Sequence, residues 1–198
     1  MVMVVAHAKL TAWLNVSMDS RQHKILSKDD TTSIENLFYS VFKDAEGEAE
    51  GRLIGDLSRE LALAIDQQQV YCFASYEANQ LIASIFLTQL DFKQEIAVYL
   101  LGPVAADTQH QGQGVGQALI RYALDYLASQ GVAWVITYGD PAFYTKVGFQ
   151  ALSEAQIKAP LPLSMPQGWQ IASLTGEAVP NISARPSCVK AFDNPVYW

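Results

Sequence analysis

The stretch EIAVYLLGPVAA, residues 95–106, carries one charge at its edge and otherwise presents unbroken apolar surface. A strand that alternates apolar and polar positions can face water on one side, whereas one that is apolar throughout must be covered on both. This segment therefore demands a central sheet with helices on each face. Pro103 adds a second demand, because proline has no N–H to give a neighbouring strand and inside a buried strand marks a bulge. A bulge at Gly102-Pro103 splays the strand from its neighbour and leaves backbone groups without partners.

HQGQGVGQALI, residues 110–120, follows almost at once and sets Gly112, Gly114 and Gly116 at alternate positions. Behind them Val115, Ala118, Leu119, Tyr122, Ala123, Tyr126 and Leu127 recur at helical spacing, and Gly131 stands where a C-terminal cap belongs. Each glycine at a helix entrance costs about 1 kcal/mol relative to alanine, so three need a reason. Free N–H groups and the positive end of the helix dipole converge there, a ready site for phosphate. Without side chains the backbone can wrap an anion at contact distance. The loop itself carries no Lys or Arg, which suits recognition by main-chain amides. The plainer alternative is a tight strand-to-helix turn without a ligand, which rarely needs glycine three times.

The rest of the chain supplies the layers. HKILSK (23–28), VYCFASY (70–76), LIASIFLTQL (81–90), VAWVITY (132–138), GFQAL (148–152) and GWQIASL (168–174) read as strands. The residues EANQ make the turn between the second and third of these. Thr32 with Glu35 forms a capping box ahead of a helix whose apolar face is Ile34, Leu37, Phe38, Val41 and Phe42. An acidic loop, KDAEGEAEG (43–51), leads to a second helix with Leu53, Leu57, Leu61, Ala64 and Ile65 inward. Asp140 and Pro141 open a short helix as N-cap and first residue. The domain reading is an N-terminal extension over residues 1–20, a core over 21–155 and an irregular, Pro-rich C-terminal extension over 156–198 packing on it. Met18 precedes the first strand directly, so residues 1–17 are expected to be dispensable.

Composition excludes several functions. The net charge of −7 comes without a cluster of Lys and Arg, which argues against a nucleic-acid partner. Cys72 and Cys188 lie far apart with no metal-ligand spacing, so they read as reduced thiols, and no metal site is expected. The apolar opening MVMVVAHA is too short to span a bilayer, and no later stretch reaches that length. A cytoplasmic protein with no membrane partner is expected.

Two phosphate-binding patterns fail. The dinucleotide fingerprint needs a third glycine where Gln117 stands, and needs to open the first strand-helix unit. A P-loop needs Lys followed by Ser or Thr after the glycines. The spacing Q-x-x-G-x-G, from Gln111, Gly114 and Gly116, fits a third pattern. GPVAADTQHQGQGVGQALI, followed about thirty residues on by GDPAFYTKVGF, resembles the acetyl-coenzyme A-binding core of the GNAT superfamily of N-acetyltransferases over residues 23–152.

The resemblance implies an α/β fold: a mixed, mostly antiparallel central sheet of six to seven strands flanked by helices and splayed near Gly102-Pro103. It implies acetyl-CoA as co-substrate, held by Val104, Ala105, Ala106, Gln111, Gly112, Gln113, Gly114, Val115, Gly116 and Tyr144. Amides of residues 111–116 would grip the pyrophosphate, and Ala106 would pair with the pantetheine arm in the strand gap. The Val104 N–H would face the thioester carbonyl, and Tyr144 would donate to the departing thiolate. Phe143 beside it, with no hydroxyl, reads as core. Where some members carry a glutamate on the strand before the glycine loop, this chain has Leu100. Glu95, His110 and Tyr99 are structural or solvated on this reading, so no general base is assigned. The acceptor would be the primary amine of a small molecule or peptide, and a homodimer is compatible. Asp44, Glu46, Glu48 and Glu50 read first as a solvated loop, with steering of a cationic amine as the alternative. The competing function is a non-catalytic acetyl-CoA sensor or interaction module, for which a positioned tyrosine has no use. With neither cysteine in the motifs, transfer is expected to be direct, without an acyl-enzyme.

Overall fold

The computed structural model describes residues 21–198, so the N-terminal extension and the Met18 start lie outside the described residues. The elements are β1 (Gln22–Ile25), α1 (Thr31–Glu46), α2 (Glu48–Leu63), β2 (Val70–Glu77), β3 (Gln80–Leu90), β4 (Val98–Ala106), α3 (Val115–Ser129), β5 (Trp134–Tyr138), α4 (Pro141–Tyr144), β6 (Gln150–Ala151) and β7 (Trp169–Ser173). They build one seven-stranded sheet in the order β1-β2-β3-β4-β5-β7-β6. All pairings are antiparallel except β4 with β5. That exception follows from connectivity, since α3 carries the chain back across the sheet between them.

Each face has its own core. Val98 and Leu100 of β4 join the cluster under α1 and α2, whereas Tyr99 and Leu101 join the one under α3. Beyond Pro103 the alternation flips: Ala105 packs on the α1–α2 side, Val104 and Ala106 on the α3 side. One residue too many sits in β4. The register agrees, because Ile85 pairs with Val104 while Leu87 pairs with Leu101, two residues spanning three. The bulge expected from Pro103 is there, and the Gly102–Pro103 peptide is cis.

The start of α1 differs from expectation. Ser27 and Asp30, not Thr32 and Glu35, form the capping box, on a single 3-10 turn that leads into the helix. Ser27 N–H donates to Asp30 Oδ2 at 2.9 Å and Asp29 N–H donates to Ser27 Oγ at 3.2 Å. The acidic loop also vanishes. α1 continues through residue 46 and α2 begins at residue 48, with Gly47 (φ 97°) alone making the corner. The charges that suggested a loop are helix surface, tied by Glu48 to Lys43 at 3.0 Å and to Arg52 at 2.8 Å. The buried side of α2 is Ile54, Leu57, Leu61 and Ala62, with Leu53 half-buried and Ala64 exposed.

Residues 156–198 are not merely laid over a finished core. β7 enters the sheet between β5 and β6, pairing with both. Trp169 is fully buried, and its indole N–H donates to the Ile157 carbonyl at 3.0 Å. Trp198 does likewise to Phe192 at 2.9 Å and packs against Trp169 and Tyr138.

Gly51 and Gly55 let α1 and α2 touch. A Cβ on Gly51 would stand 2.7 Å from Lys43 Cβ and 2.8 Å from the Tyr39 carbonyl oxygen. Backbone cannot yield as a side-chain tip can, so the helices would have to part. Valine at position 51 should therefore destabilise by about 1–3 kcal/mol despite the helical φ, ψ of the site, and Gly116→Ala, also at a helical position but with only an ordinary 3.7 Å contact, should do so less. Thermal unfolding of the two variants measures the difference.

Candidate functional site

The pairing of β4 with β5 runs from Val98–Trp134 to Leu101–Thr137 and stops there. Past that point Gly102 and Pro103 carry β4 towards β3, while Tyr138 of β5 pairs with Trp169 of β7. The last rung is reinforced: the buried Thr137 hydroxyl donates to the Leu101 carbonyl at 3.0 Å. The sheet opens at a fixed place.

Two cavities meet at the opening. One, of about 290 Å³, lies on the side of α1, α2 and the C-terminal segment. The other, of about 570 Å³, lies against the glycine loop and α4. Val104 and Tyr144 line both.

The glycine loop is locally determined. Asp107 accepts from the Gln109 N–H at 3.0 Å and starts a 3-10 turn, and Gln111 Nε2 reaches back to the Ala106 carbonyl at 3.1 Å. Gly112 (φ 73°) and Gly114 (φ 75°) are left-handed, which explains glycine at both. Gly116 is different. It lies inside α3, and a Cβ there would meet only Phe143 Cζ at an ordinary 3.7 Å, so neither backbone nor neighbours demand glycine. Gly114 caps α3 without a side-chain hydrogen bond, leaving the first helical N–H groups facing the larger cavity uncapped by any side chain. This is the donor set and the clearance that a phosphate group fits.

Of the residues picked from sequence, Val104, Ala106, Gln111, Gly112, Gly114, Val115, Gly116 and Tyr144 line that cavity. Ala105 and Gln113 do not. The Ala105 side chain is buried under α1 and α2, a consequence of the shifted alternation. Gln113 turns outward, accepting from Arg21 at 3.0 Å and donating to the Gln109 carbonyl at 3.0 Å. His110 lines the cavity and is held between Asp107 (2.9 Å) and Glu77 (3.3 Å), so it latches the loop to the end of β2.

Tyr144 ends the short helix that Asp140 caps by accepting from the Ala142 N–H at 2.8 Å. Burial pushes its phenol above the ordinary value of 10.0, with the Thr137 hydroxyl pulling the other way, so it is protonated at neutral pH. Its ring lies against Gly139, where a Cβ would come within 2.7 Å of Tyr144 Cε2. Phe143 is half-buried, lines the larger cavity and meets the Tyr144 ring edge-on at 5.1 Å. Thr137, Gly139 and Phe143 were not assigned to the site from sequence. Thr137 had a signal, as a hydroxyl inside the buried strand VAWVITY; Gly139 had one in its place between strand and Asp-Pro.

None of the groups considered as a base is differently placed from expectation. Glu95 is exposed ahead of β4, and the Tyr99 hydroxyl donates to the Gln68 carbonyl at 2.5 Å, with burial pushing that phenol up to about 12. Neither cysteine lines either cavity. Burial pushes the Cys72 thiol up to about 12 and raises that of Cys188, so both stay protonated and weakly nucleophilic. Among the described residues no group of three or more His, Cys, Asp or Glu could hold a metal ion, and no helix is long and apolar enough to cross a membrane.

Comparison with known proteins agrees with this architecture. A family model for the acetyltransferase (GNAT) domain matches residues 67–151, from β2 through the glycine loop to β6. The uncharacterized N-acetyltransferase YhbS of Escherichia coli is 27% identical over 155 residues, covering 78% of this chain and 87% of that one. The crystal structure of YhbS in complex with CoA superposes with a TM-score of 0.72 at 24% identity, over 88% of this chain and 93% of that one. A GNAT-family acetyltransferase from Brucella melitensis in complex with acetyl-CoA gives a TM-score of 0.64 at 21% identity, over 87% and 98% of the respective chains. By its split sheet, its uncapped glycine-loop helix and these matches, the chain is similar to the GNAT acetyltransferases in fold and, over residues 67–151, in its acetyltransferase-domain sequence.

Proposed function

We propose that the protein transfers the acetyl group of acetyl-CoA directly to a primary amine, and that the junction of the two cavities at Val104 and Tyr144 is where the groups meet. That junction is the observation that carries the reading. The coenzyme belongs in the larger cavity, its pyrophosphate on the amides of residues 111–116, its pantetheine arm beside Val104 and Ala106 in the strand gap. The acceptor belongs in the smaller one. Solved relatives in complex with CoA and acetyl-CoA support the assignment of the coenzyme.

In the chemical step the neutral amine nitrogen bonds to the thioester carbonyl carbon, the Val104 N–H stabilises the oxygen as charge gathers on it, and the carbon–sulfur bond breaks. Tyr144 gives its proton to the departing thiolate, and the nitrogen releases its own to water. A buried, protonated phenol suits the first task. The buried Cys72 and the remote Cys188 leave no thiol positioned to carry the acetyl group. The protein would act in the cytoplasm.

Tyr144→Phe should lower turnover by about 10–1000-fold while the dissociation constant for CoA, read by calorimetry, hardly moves. Undiminished turnover would remove Tyr144 from the chemistry. Because the phenol is the active acid and its pKa is raised, turnover should persist up to pH 10 and fall only above it. That alkaline limb should be missing from the Phe variant's pH profile. Gly116→Val separates ligand from backbone, since its φ is helical and only Phe143 is near. It should fold and bind CoA at least tenfold more weakly, about 1.4 kcal/mol. Unchanged CoA affinity in a folded Gly116→Val protein would overturn the glycine-loop assignment.

A further inference from the structure

The smaller cavity has a composition that selects a substrate. Helix α2 contributes Leu53, Ile54 and Leu57, β4 contributes Leu100 and Pro103, and the C-terminal segment adds Phe192, Tyr197 and Trp198. Among the described residues no Lys, Arg or His lines it, and Glu50 supplies the only carboxylate side chain. Among the described residues Glu50 makes no ion pair and no side-chain hydrogen bond, unlike its neighbour Glu48, which holds Lys43 and Arg52. Polar partners are scarce elsewhere in the lining. The Tyr138 hydroxyl is engaged, pairing with Ser164 Oγ at 3.0 Å and accepting from the Met165 N–H at 2.8 Å.

Charge at the mouth points the same way. Burial, then the negative charges of Glu60, Asp56 and Glu50, raise the Tyr197 phenol, so the edge of the cavity carries negative potential with no cation among the described lining residues to cancel it. Such a site favours one positive charge and disfavours a carboxylate, while its walls reward hydrocarbon and offer little to hydroxyl groups. At about 290 Å³ it is at the small end of ligand cavities, which run from about 300 to 1,000 Å³.

Resting on the transferase reading above, we infer that the acceptor is a small monoamine bearing an aromatic or branched apolar group, drawn in as a cation by Glu50, seated against the aromatic side chains of the C-terminal segment, and made neutral for attack by loss of its ammonium proton to water. A free amino acid is excluded by its carboxylate, and a polyamine or aminosugar by the shortage of carboxylates and hydrogen-bonding groups.

The test is acetylation of 2-phenylethylamine, L-phenylalanine and spermidine by the full chain, with CoA binding followed separately by calorimetry. The expected result is preference for 2-phenylethylamine in kcat/KM by at least about 100-fold over both others. Glu50→Gln should raise its KM about tenfold, the worth of a partly screened ion pair, and by more than kcat falls. Inhibition by 2-phenylethanol, which keeps the ring and loses the charge, should be the same in both proteins; a merely structural role for Glu50 would weaken both ligands alike. Preference for spermidine or L-phenylalanine, or an unchanged KM in Glu50→Gln, would overturn the inference. CoA binding with no acetylation of 2-phenylethylamine would overturn the substrate class and leave the coenzyme site standing. Failure to bind CoA would overturn the transferase reading itself.

Discussion

The site depends on one surplus residue in β4. With Leu87 opposite Leu101 and Ile85 opposite Val104, three β4 residues cross the span of two, and the strand must bend away from β5. A bend inside a seven-stranded sheet would normally strand N–H and C=O groups in an apolar interior, at a cost of about 1–3 kcal/mol each. Proline reduces that cost by having no N–H to strand, and Thr137 reduces it further by donating to the Leu101 carbonyl at the last rung. The opening is thus closed off chemically on its inner side and free only towards the two cavities.

Everything functional is referred to that rung. β5 beyond Thr137 reaches Gly139, whose missing side chain admits the Tyr144 ring, and Asp140, whose cap starts the helix on which Tyr144 sits. β4 beyond Pro103 reaches Asp107 and the loop that ends in Gly114 and α3. The two strands diverge as they leave the pairing, so Tyr144 and the uncapped amides of the glycine loop are carried to either side of one gap. Their spacing is set by the sheet rather than by the loops, which is how a site on short loops can be rigid.

Local chemistry was legible in the sequence wherever one segment determined its own shape. Pro103 within an apolar strand gave the bulge, and Asp140-Pro141 gave the helix start. The helix start of α1 was misread because two capping patterns stand close together, Ser27 with Asp30 and Thr32 with Glu35, and the chain uses the first, on a 3-10 turn ahead of the helix. The acidic segment was misread for a different reason. Charge and glycine density suggest a loop, but Gly51 is there for the approach of α1 to α2, a contact between helices that no single segment encodes. The Ala105 side chain turns to α1 and α2 because a bulge reverses which residues face which side, a shift that alternation along β4 does not reveal.

The C-terminal segment was the least legible, and the reason bears on specificity. Its residues combine only after β7 has entered the sheet beside β5, which brings Phe192, Tyr197 and Trp198 against α2 and the rim of the gap. Trp198 stacks on Tyr138, the first β5 residue past the last β4 pairing, so the wall of the smaller cavity is anchored at the same place where the sheet opens. Apart from Val41, the lining of the larger cavity lies within residues 104–146, whereas half of the lining of the smaller one comes from α2 and from residues 192–198. Substitutions in that half of the wall can therefore reshape the smaller cavity without moving the glycine loop, the Val104 backbone or Tyr144. The two cavities share only Val104 and Tyr144 among their described lining residues, and the separation of the rest follows from the chain path itself.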